Sequence, residues 1–513
     1  MFHAVAAIVL NAMRRGILLI ALAAVVAGCA VTPSRVPPAT EALDSGSRQC
    51  AEILQRIDTA VEQAGVADGM AARVAGFPHL RVNRFLASYA REGLDQAQFT
   101  EWMKRMLQLG TQGYAVELAN LPAESAEQLG RALQDVDPRY ADAGFAAKEC
   151  AARLAAVDLT HPARQALLRE AARVPEDYLD WQRVIGLYWL TRIPFAQGIE
   201  RWQDSVREDF SQPFETLPVT GRLRRYAPPA GRLSSAQVAG ILERASNNGL
   251  GIPVPAGEEL EALFRAFAPE FEIDTAGDAD LPGAPGWYGA GVPQVDSGRV
   301  VVYQRVSHTR YAGRVLLQLN YALWFPERPR KAGWDILGGH LDGLLWRVTL
   351  APDGTPWVFD SIHQCGCYHQ FFPTARARLR PVPRTLDETA FIPQTLPALD
   401  AGARIVLRVA AGTHYLQRVL INGETGLPAV EYVFADDDVL RSLPQPKGGR
   451  RSAFRSDGIV SGSERGERYL FWPMGVPEPG AMRQWGRHAT AFVGRRHFDD
   501  ADLFEKYFEM TSP

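Results

Sequence analysis

The chain of 513 residues is poor in cysteine, with five, and poor in methionine, with eight. Five cysteines are too few for a disulfide-dense scaffold, so a chain of this length must hold itself together mainly by burying apolar surface. No apolar run approaches the ~20 residues a bilayer crossing needs; the run from Ile17 to Ala27 is well short of it. Charge of one sign is also missing: 55 Lys and Arg stand against 58 Asp and Glu, a net charge of -3. Without a basic block or basic-aromatic interleaving, nucleic acid is excluded as an expected partner. Gly-x-Ser-x-Gly, His-Glu-x-x-His and phosphate-cradling glycine loops are absent too, which removes the serine-elbow, zincin and P-loop chemistries. What remains is an ordinary apolar content, 47%, and material for two or three domains.

The first thirty residues carry an address. Arg14 and Arg15 precede the short apolar run, and small residues follow it, the pattern of a secretory signal over residues 1–28. Val26-Ala27-Gly28-Cys29 resembles a bacterial lipobox. That resemblance implies cleavage before Cys29, a diacylglycerol on its thiol and an acylated new N-terminus. Ala30 follows the cysteine where Asp would favour inner-membrane retention, so the expected place is the outer membrane, with the body facing the periplasm. Met13-Arg14-Arg15 begins as a basic leader should, and translation is expected to start at Met13. Residues 29–47, rich in Pro, Ser and Thr, read as a lipidated tether.

The expected fold class is α+β, an N-terminal helical domain followed by a C-terminal antiparallel β-sandwich-like domain. Residues 48–210 show a helical period, with Ile53, Leu54, Ile57, Ala60, Val61 and Ala64 on one face and similar patterns over 98–109 and 124–133. Cys50 and Cys150 are expected to form a disulfide in the oxidising periplasm. The aromatic stretch Val184 to Trp202 reads either as a segment lying on the membrane or, the favoured reading, as a buried helix pair, kinked or split at Pro194. Residues 211–297, rich in Pro and Gly with helical patches at 235–245 and 257–267, read as a connecting region. Residues 298–513 change to a period of two: strands over 299–307, 315–325, 344–350 and 357–362 form an antiparallel meander. Further strands are expected at 404–410, 415–422, 431–434, 469–471 and 489–493, and then a terminal helix capped by Asp499 or Asp500 with Leu503, Phe504, Tyr507 and Phe508 inside.

Seven of the ten histidines fall after residue 300, and two flank a Cys-Gly-Cys in "SIHQCGCYHQ". In the meander His340, Asp342 and His363 fall at one end and His308 at the other. A divalent metal, zinc or copper, held by some of His340, Asp342, His363, Cys365, Cys367 and His369 is one reading. It requires a bend at Gly366, because a straight strand would set His363 and His369 roughly 20 Å apart. A Cys365–Cys367 disulfide and packed groups without chemistry are the others. A cysteine nucleophile paired with His363 or His369 is the enzymatic variant, disfavoured by its neighbouring thiol. Asp436, Asp437 and Asp438 read as a helix cap or solvated acids rather than a calcium site, and Arg487 and His488 as part of a solvated basic hairpin.

"FAPEFEID", "YALWFP", "GGHLDGLLWRVTL" and "SIHQCGCYH" together resemble the layout of the necrosis-inducing toxin-like β-sandwich proteins. The resemblance implies that His340 matches the histidine of their divalent-metal box. Gly343 and Leu344 replace the Trp-Glu of that box, so neither metal binding nor toxin-like activity is carried over. The function expected is a binding or structural module of the cell envelope, held to the membrane by its lipid and serving an unknown envelope partner. The alternative is a metal-dependent hydrolase acting on envelope material.

Overall fold

Residues 43–511 are described by the computed structural model, apart from 290, 334, 382–384 and 424–425. The leader, Met13, Cys29 and most of the tether lie outside the described residues. The chain mixes helices, concentrated in its N-terminal half, with sheets in its C-terminal half.

Helix α1 (Ser45–Gln63) starts where the Asp44 side chain accepts from the Ser47 amide, and it buries Ile53, Leu54, Ile57 and Val61, the face its period selects. It packs on α2 (Gln96–Ala119), α3 (Ala123–Gln134) and α4 (Ala143–Thr160), with α5 (Pro162–Ala171) following. A capping box between Asp95 and Gln98 fixes the start of α2. Cys50 in α1 and Cys150 in α4 face each other with Cα atoms 4.8 Å apart and sulfurs at disulfide distance. Between α1 and α2 lies an unforeseen hairpin, β1 (Ala72–Val74) and β2 (Phe77–Val82).

The segment Val184 to Trp202 is the first departure from expectation. Helix α6 (Asp180–Ile185) ends at Gly186 and α7 (Tyr188–Ser211) runs unbroken through Pro194. The chain breaks at Leu187 instead, a non-glycine residue at φ +50°. Gly186 allows this corner, since a Cβ there would lie 2.6 Å from the Pro473 side chain. The pair is not a buried core: Val184, Ile185, Trp189 and Leu190 stand exposed.

Residues 222–275 are more than a connection. β3 (Arg222–Ala227), helices α8 (Ser235–Ala245) and α9 (Gly257–Phe267), and β4 (Glu270–Thr275) belong to the C-terminal body. Its larger sheet contains the meander β5 (Val301–Tyr311), β6 (Arg314–Arg328), β7 (Gly339–Leu350) and β8 (Pro356–His363), continued by β9 (Gln370–Pro373). The second sheet is five-stranded, ordered β11 (Leu416–Ile421), β10 (Ile405–Val409), β4, β3 and β12 (Ala429–Glu431). The sheets are mixed rather than purely antiparallel: β4 pairs with β10, β3 with β12, and β5 with β13 (Val433–Asp436), all in parallel. One apolar cluster joins Phe271, Ile273 and Leu407 of the second sheet to Leu319, Trp346 and Phe359 of the first.

Three local expectations fail. Residues 469–471 are helical, within Arg468–Phe471, and 489–493 contribute only an isolated bridge from Ala489 to His497. Runs of three to five residues carry too few periods to separate strand from helix. The terminal helix α10 (Leu503–Tyr507) has Asp502 at its N-cap, and Phe508 is buried from the strand that follows. The two halves are joined by a buried ion pair and a hydrogen bond on one carboxylate: Arg441 donates to Asp68 at 2.6 Å, and Gln484 donates to it at 2.8 Å.

Candidate functional site

Strand parity decides which candidate residues meet. Side chains alternate across a sheet, so on β7 and β8 Asp342, Trp346, Phe359 and His363 share one face, while Arg347 and Asp360 share the other. His369 follows the second set: its Nε2 lies 2.9 Å from Asp360, which also accepts from Arg347 at 2.6 and 2.9 Å. His340 turns away, with Nε2 2.6 Å from the Pro293 carbonyl. His308 is at the far end of the sheet against Pro253. The structure therefore brings together Asp342 with His363, and Cys365 with Cys367, but neither His340 nor His369 with them. The six side chains do not fit one ion in this arrangement, and no three His, Cys, Asp or Glu side chains converge as a metal cage among the described residues.

Asp342 is instead the hub of a buried charge network. Its carboxylate accepts from His414 Nδ1 at 2.9 Å, faces Arg465 at 3.3 Å and faces His363 Nδ1 at 3.4 Å. Burial opposes its ionisation, yet Arg465 and the two histidines hold its pKa well below the usual carboxylate range. His414 reaches a second carboxylate, Asp280, at 3.3 Å and stacks on Phe325 at 3.9 Å between ring centres. Burial works against its charge, but hydrogen bonds to Asp280 and Asp342 raise its pKa. His363 goes the other way, lowered by burial and by neighbouring Arg328 and His414. None of Asp280, His414 and Arg465 is signalled by a motif; Asp280 ends the 3-10 turn Asp278–Asp280, His414 and Arg465 sit in separate loops, and only the tertiary fold assembles them.

The Cys-Gly-Cys loop does bend at Gly366. That residue takes φ +88°, and a Cβ on it would lie 2.6 Å from the Ala489 carbonyl, so both its conformation and the close approach require glycine. Cys365 and Cys367 are free thiols. Burial opposes ionisation of Cys365, but a hydrogen bond from Cys367 and the nearby Arg465 guanidinium bring its pKa below the ordinary thiol value. The same hydrogen bond, together with burial, holds Cys367 well above it.

This loop forms one wall of a cavity of about 590 Å³. Helix α7 supplies the facing wall with Phe195, Ile199 and Trp202, and Phe391, Phe471 and Phe492 close the sides. The aromatic rings interlock: Trp202 lies 5.3 Å from Tyr368 and 5.4 Å from Phe391, and Phe471 lies 5.2 Å from Phe195 and 5.3 Å from Phe492. One group stands out in this lining. Glu467 is 4% exposed, and its carboxyl makes no hydrogen bond or close ion pair among the described residues. Burial pushes its pKa up to about 7 despite Arg465 and Arg328 nearby. At neutral pH it is therefore shared between a neutral acid, which donates a hydrogen bond, and a carboxylate, which accepts one. Arg496, Glu388 and His369 also border the cavity; each has a partner, but the Nδ1 of His369 is buried without one among the described residues.

Two other sequence candidates are absorbed by structure. Asp437 and Asp438 pair with Arg305, and Asp438 also faces Arg441 at 3.1 Å. The basic C-terminal segment is not solvated: Arg483, His488, Arg496 and His497 are buried, and Arg487 donates to Asp177 at 3.1 Å. A wider groove of about 980 Å³ where the two halves meet is lined by Arg84, Arg91, Arg310, Glu92, Glu176 and Asp500, whose charges offset one another. No described helix is long and apolar enough to cross a membrane. Compared with protein-family models, curated proteins and solved structures, the chain matches none of them.

Proposed function

We propose that this chain is a lipid-anchored protein of the cell envelope, held at Cys29 in the outer membrane and facing the periplasm. Its body acts as a binding module for a small ligand with an apolar length and a polar end. The cavity behind α7 carries the binding half of this reading. It is within the usual size of a small-molecule site, it is lined by aromatic and aliphatic side chains, and among the described residues it presents the unpaired carboxyl of Glu467 and the unpartnered Nδ1 of His369. The shared apolar cluster of the two sheets supports a sandwich-like scaffold behind it. The anchoring half rests on the lipobox resemblance alone.

Gly198 gives a direct test of binding, since it borders the cavity and a Cβ built on it meets no atom within 4 Å. Gly198→Trp should fill the cavity without displacing backbone. The mature chain with Cys29→Ser should enhance the fluorescence of N-phenyl-1-naphthylamine, and Gly198→Trp should abolish most of that enhancement. Equal enhancement in both proteins would place the apolar site elsewhere. For the anchor, the whole chain with its own leader should take up labelled palmitate in a two-membrane bacterium, and Cys29→Ser should not.

A further inference from the structure

The cavity is not the only unusual apolar feature of α7. Trp189 is 70% exposed and Val184 75%, and Trp181, Ile185, Leu190 and Ile193 are exposed beside them. Large apolar side chains exposed singly are unremarkable, but with Leu187, 51% exposed, seven between Trp181 and Ile193 form a continuous ridge. The short helix Arg468–Phe471 extends it with Tyr469 and Leu470, 72% and 59% exposed.

The ridge is held outward by its supports. Arg183 donates to the Met474 and Gly494 carbonyls at 2.8 and 2.7 Å, and its guanidinium sits over the rings of Tyr178 and Tyr188. Tyr188 in turn accepts from the Gly494 amide at 2.7 Å, and the Leu179 amide donates to the Gly475 carbonyl at 2.7 Å. Both helices are thus pinned to the C-terminal body from behind, and the apolar side chains cannot fold inward to escape water.

Composition indicates what covers the ridge. From Trp181 to Ile199 the chain contains Arg183 and Arg192 and no acidic residue. Exposed Trp181, Trp189 and Tyr469 among aliphatic residues suit the headgroup level of a bilayer, and the two arginines are already engaged, Arg183 behind the ridge and Arg192 with Asp387 at 3.7 Å. Beyond the second turn of α7 the exposed side chains become polar, with Gln197, Glu200 and Arg201. The cavity opens at this same ridge, because Pro194 and Leu470 are both exposed and part of its lining. If Cys29 carries the lipid, the thirteen residues between it and Leu43 can extend at most about 45 Å, so the body stays within reach of the membrane surface.

We infer that the α6–α7 ridge docks on a lipid bilayer and that the cavity it borders receives an acyl chain drawn from that bilayer. This deepens the binding reading above and uses the anchor only to explain proximity, so its test is run on unacylated protein. The mature chain with Cys29→Ser is mixed with vesicles of phosphatidylethanolamine and phosphatidylglycerol. It should sediment with them, and brominated acyl chains in the vesicles should quench its tryptophan emission. Val184→Asp combined with Trp189→Asp should lower the bound fraction at least tenfold while leaving N-phenyl-1-naphthylamine enhancement unchanged. Gly198→Trp should keep vesicle binding but lose the transfer of a fluorescent acyl-chain lipid out of the vesicles. A chain that stays in the supernatant, or a double Asp variant that binds as well as the parent, overturns the docking. So does a stable dimer of the parent that the double variant converts to monomer, since a second copy would then cover the ridge. Transfer that persists in Gly198→Trp overturns the acyl site. A lack of palmitate labelling at Cys29 would remove the anchor and leave each of these results standing.

Discussion

Glu467 offers the sharpest quantitative test, because it is buried, unpaired and surrounded by the cavity lining. Its carboxyl moves from an ordinary 4.5 in the unfolded chain to about 7 in the folded one. The folded state therefore holds the proton more tightly, and stability from this group falls as pH rises from 4.5 through 7. The full span corresponds to about 3 kcal/mol, the cost of ionising a buried acid that has no close cation to pair with. Glu467→Gln keeps the shape and stays neutral at every pH. Urea unfolding of both proteins at pH 4.5 and pH 8 separates this group from all others, which titrate alike in the two. The variant should nearly match the parent at pH 4.5 and exceed it by about 3 kcal/mol at pH 8. A difference that does not change with pH would refute the reasoning, since it would mean that Glu467 is paired or solvated in the folded chain.

Removing the hub of the charge network should be costly: Asp342→Ala leaves Arg465 and His414 buried without their shared carboxylate, and about 3 to 5 kcal/mol of stability should be lost in urea unfolding. Parent-like stability of that variant would show that the network is open to water. His497 shifts in the same direction as Glu467, over a higher pH window. Burial disfavours its charge, but Asp500 and Glu176 raise its pKa to about 9, so its contribution is complete below pH 6.5 and disappears as pH rises through 9. Because Glu176 is partly exposed, the loss should be about 2 kcal/mol, and His497→Gln should remove the pH dependence along with the stability. The Cys50–Cys150 link closes a loop of 100 residues, so Cys50→Ser should cost about 4 to 5 kcal/mol on the chain-entropy argument. Unfolded without reductant, the Cys29→Ser chain should titrate two thiols, Cys365 and Cys367; a count of four would exclude the link.

Periodic stretches were legible in the sequence. The apolar face of α1, the patches that became α8 and α9, and the meander from β5 to β8 follow from spacing alone, because each spans several periods of its element. The bend at Gly366 was legible too, from the residue that such a turn needs. Parallel pairing was not: β4 and β10 are far apart in sequence, and nothing in either strand names its partner. The site was hidden for a related reason. Cysteine and histidine density drew attention to residues 340–369, but alternation across the sheet sends His369 to Asp360 and leaves Asp342 to His414, a residue marked only by an ordinary turn. Glu467 and the α7 wall come from segments whose local patterns look unexceptional. For Val184 to Trp202, composition admitted both a core and a surface, and only the supporting contacts behind Arg183 and Tyr188 separate them.

The parallel pairing of β4 with β10 also governs when the body can form. β4 is an interior strand of its sheet, bordered by β3 and β10, and the second neighbour arrives roughly 130 residues after it in the chain. Until that stretch has been made, β4 presents an open edge of unpaired amides and carbonyls, and the apolar cluster shared by the two sheets lacks one side. The chain as it emerges is therefore a long, unfinished sheet that favours sticking to other strands over folding. The sheet cannot close on both sides of β4 before residues 405–409 have been made.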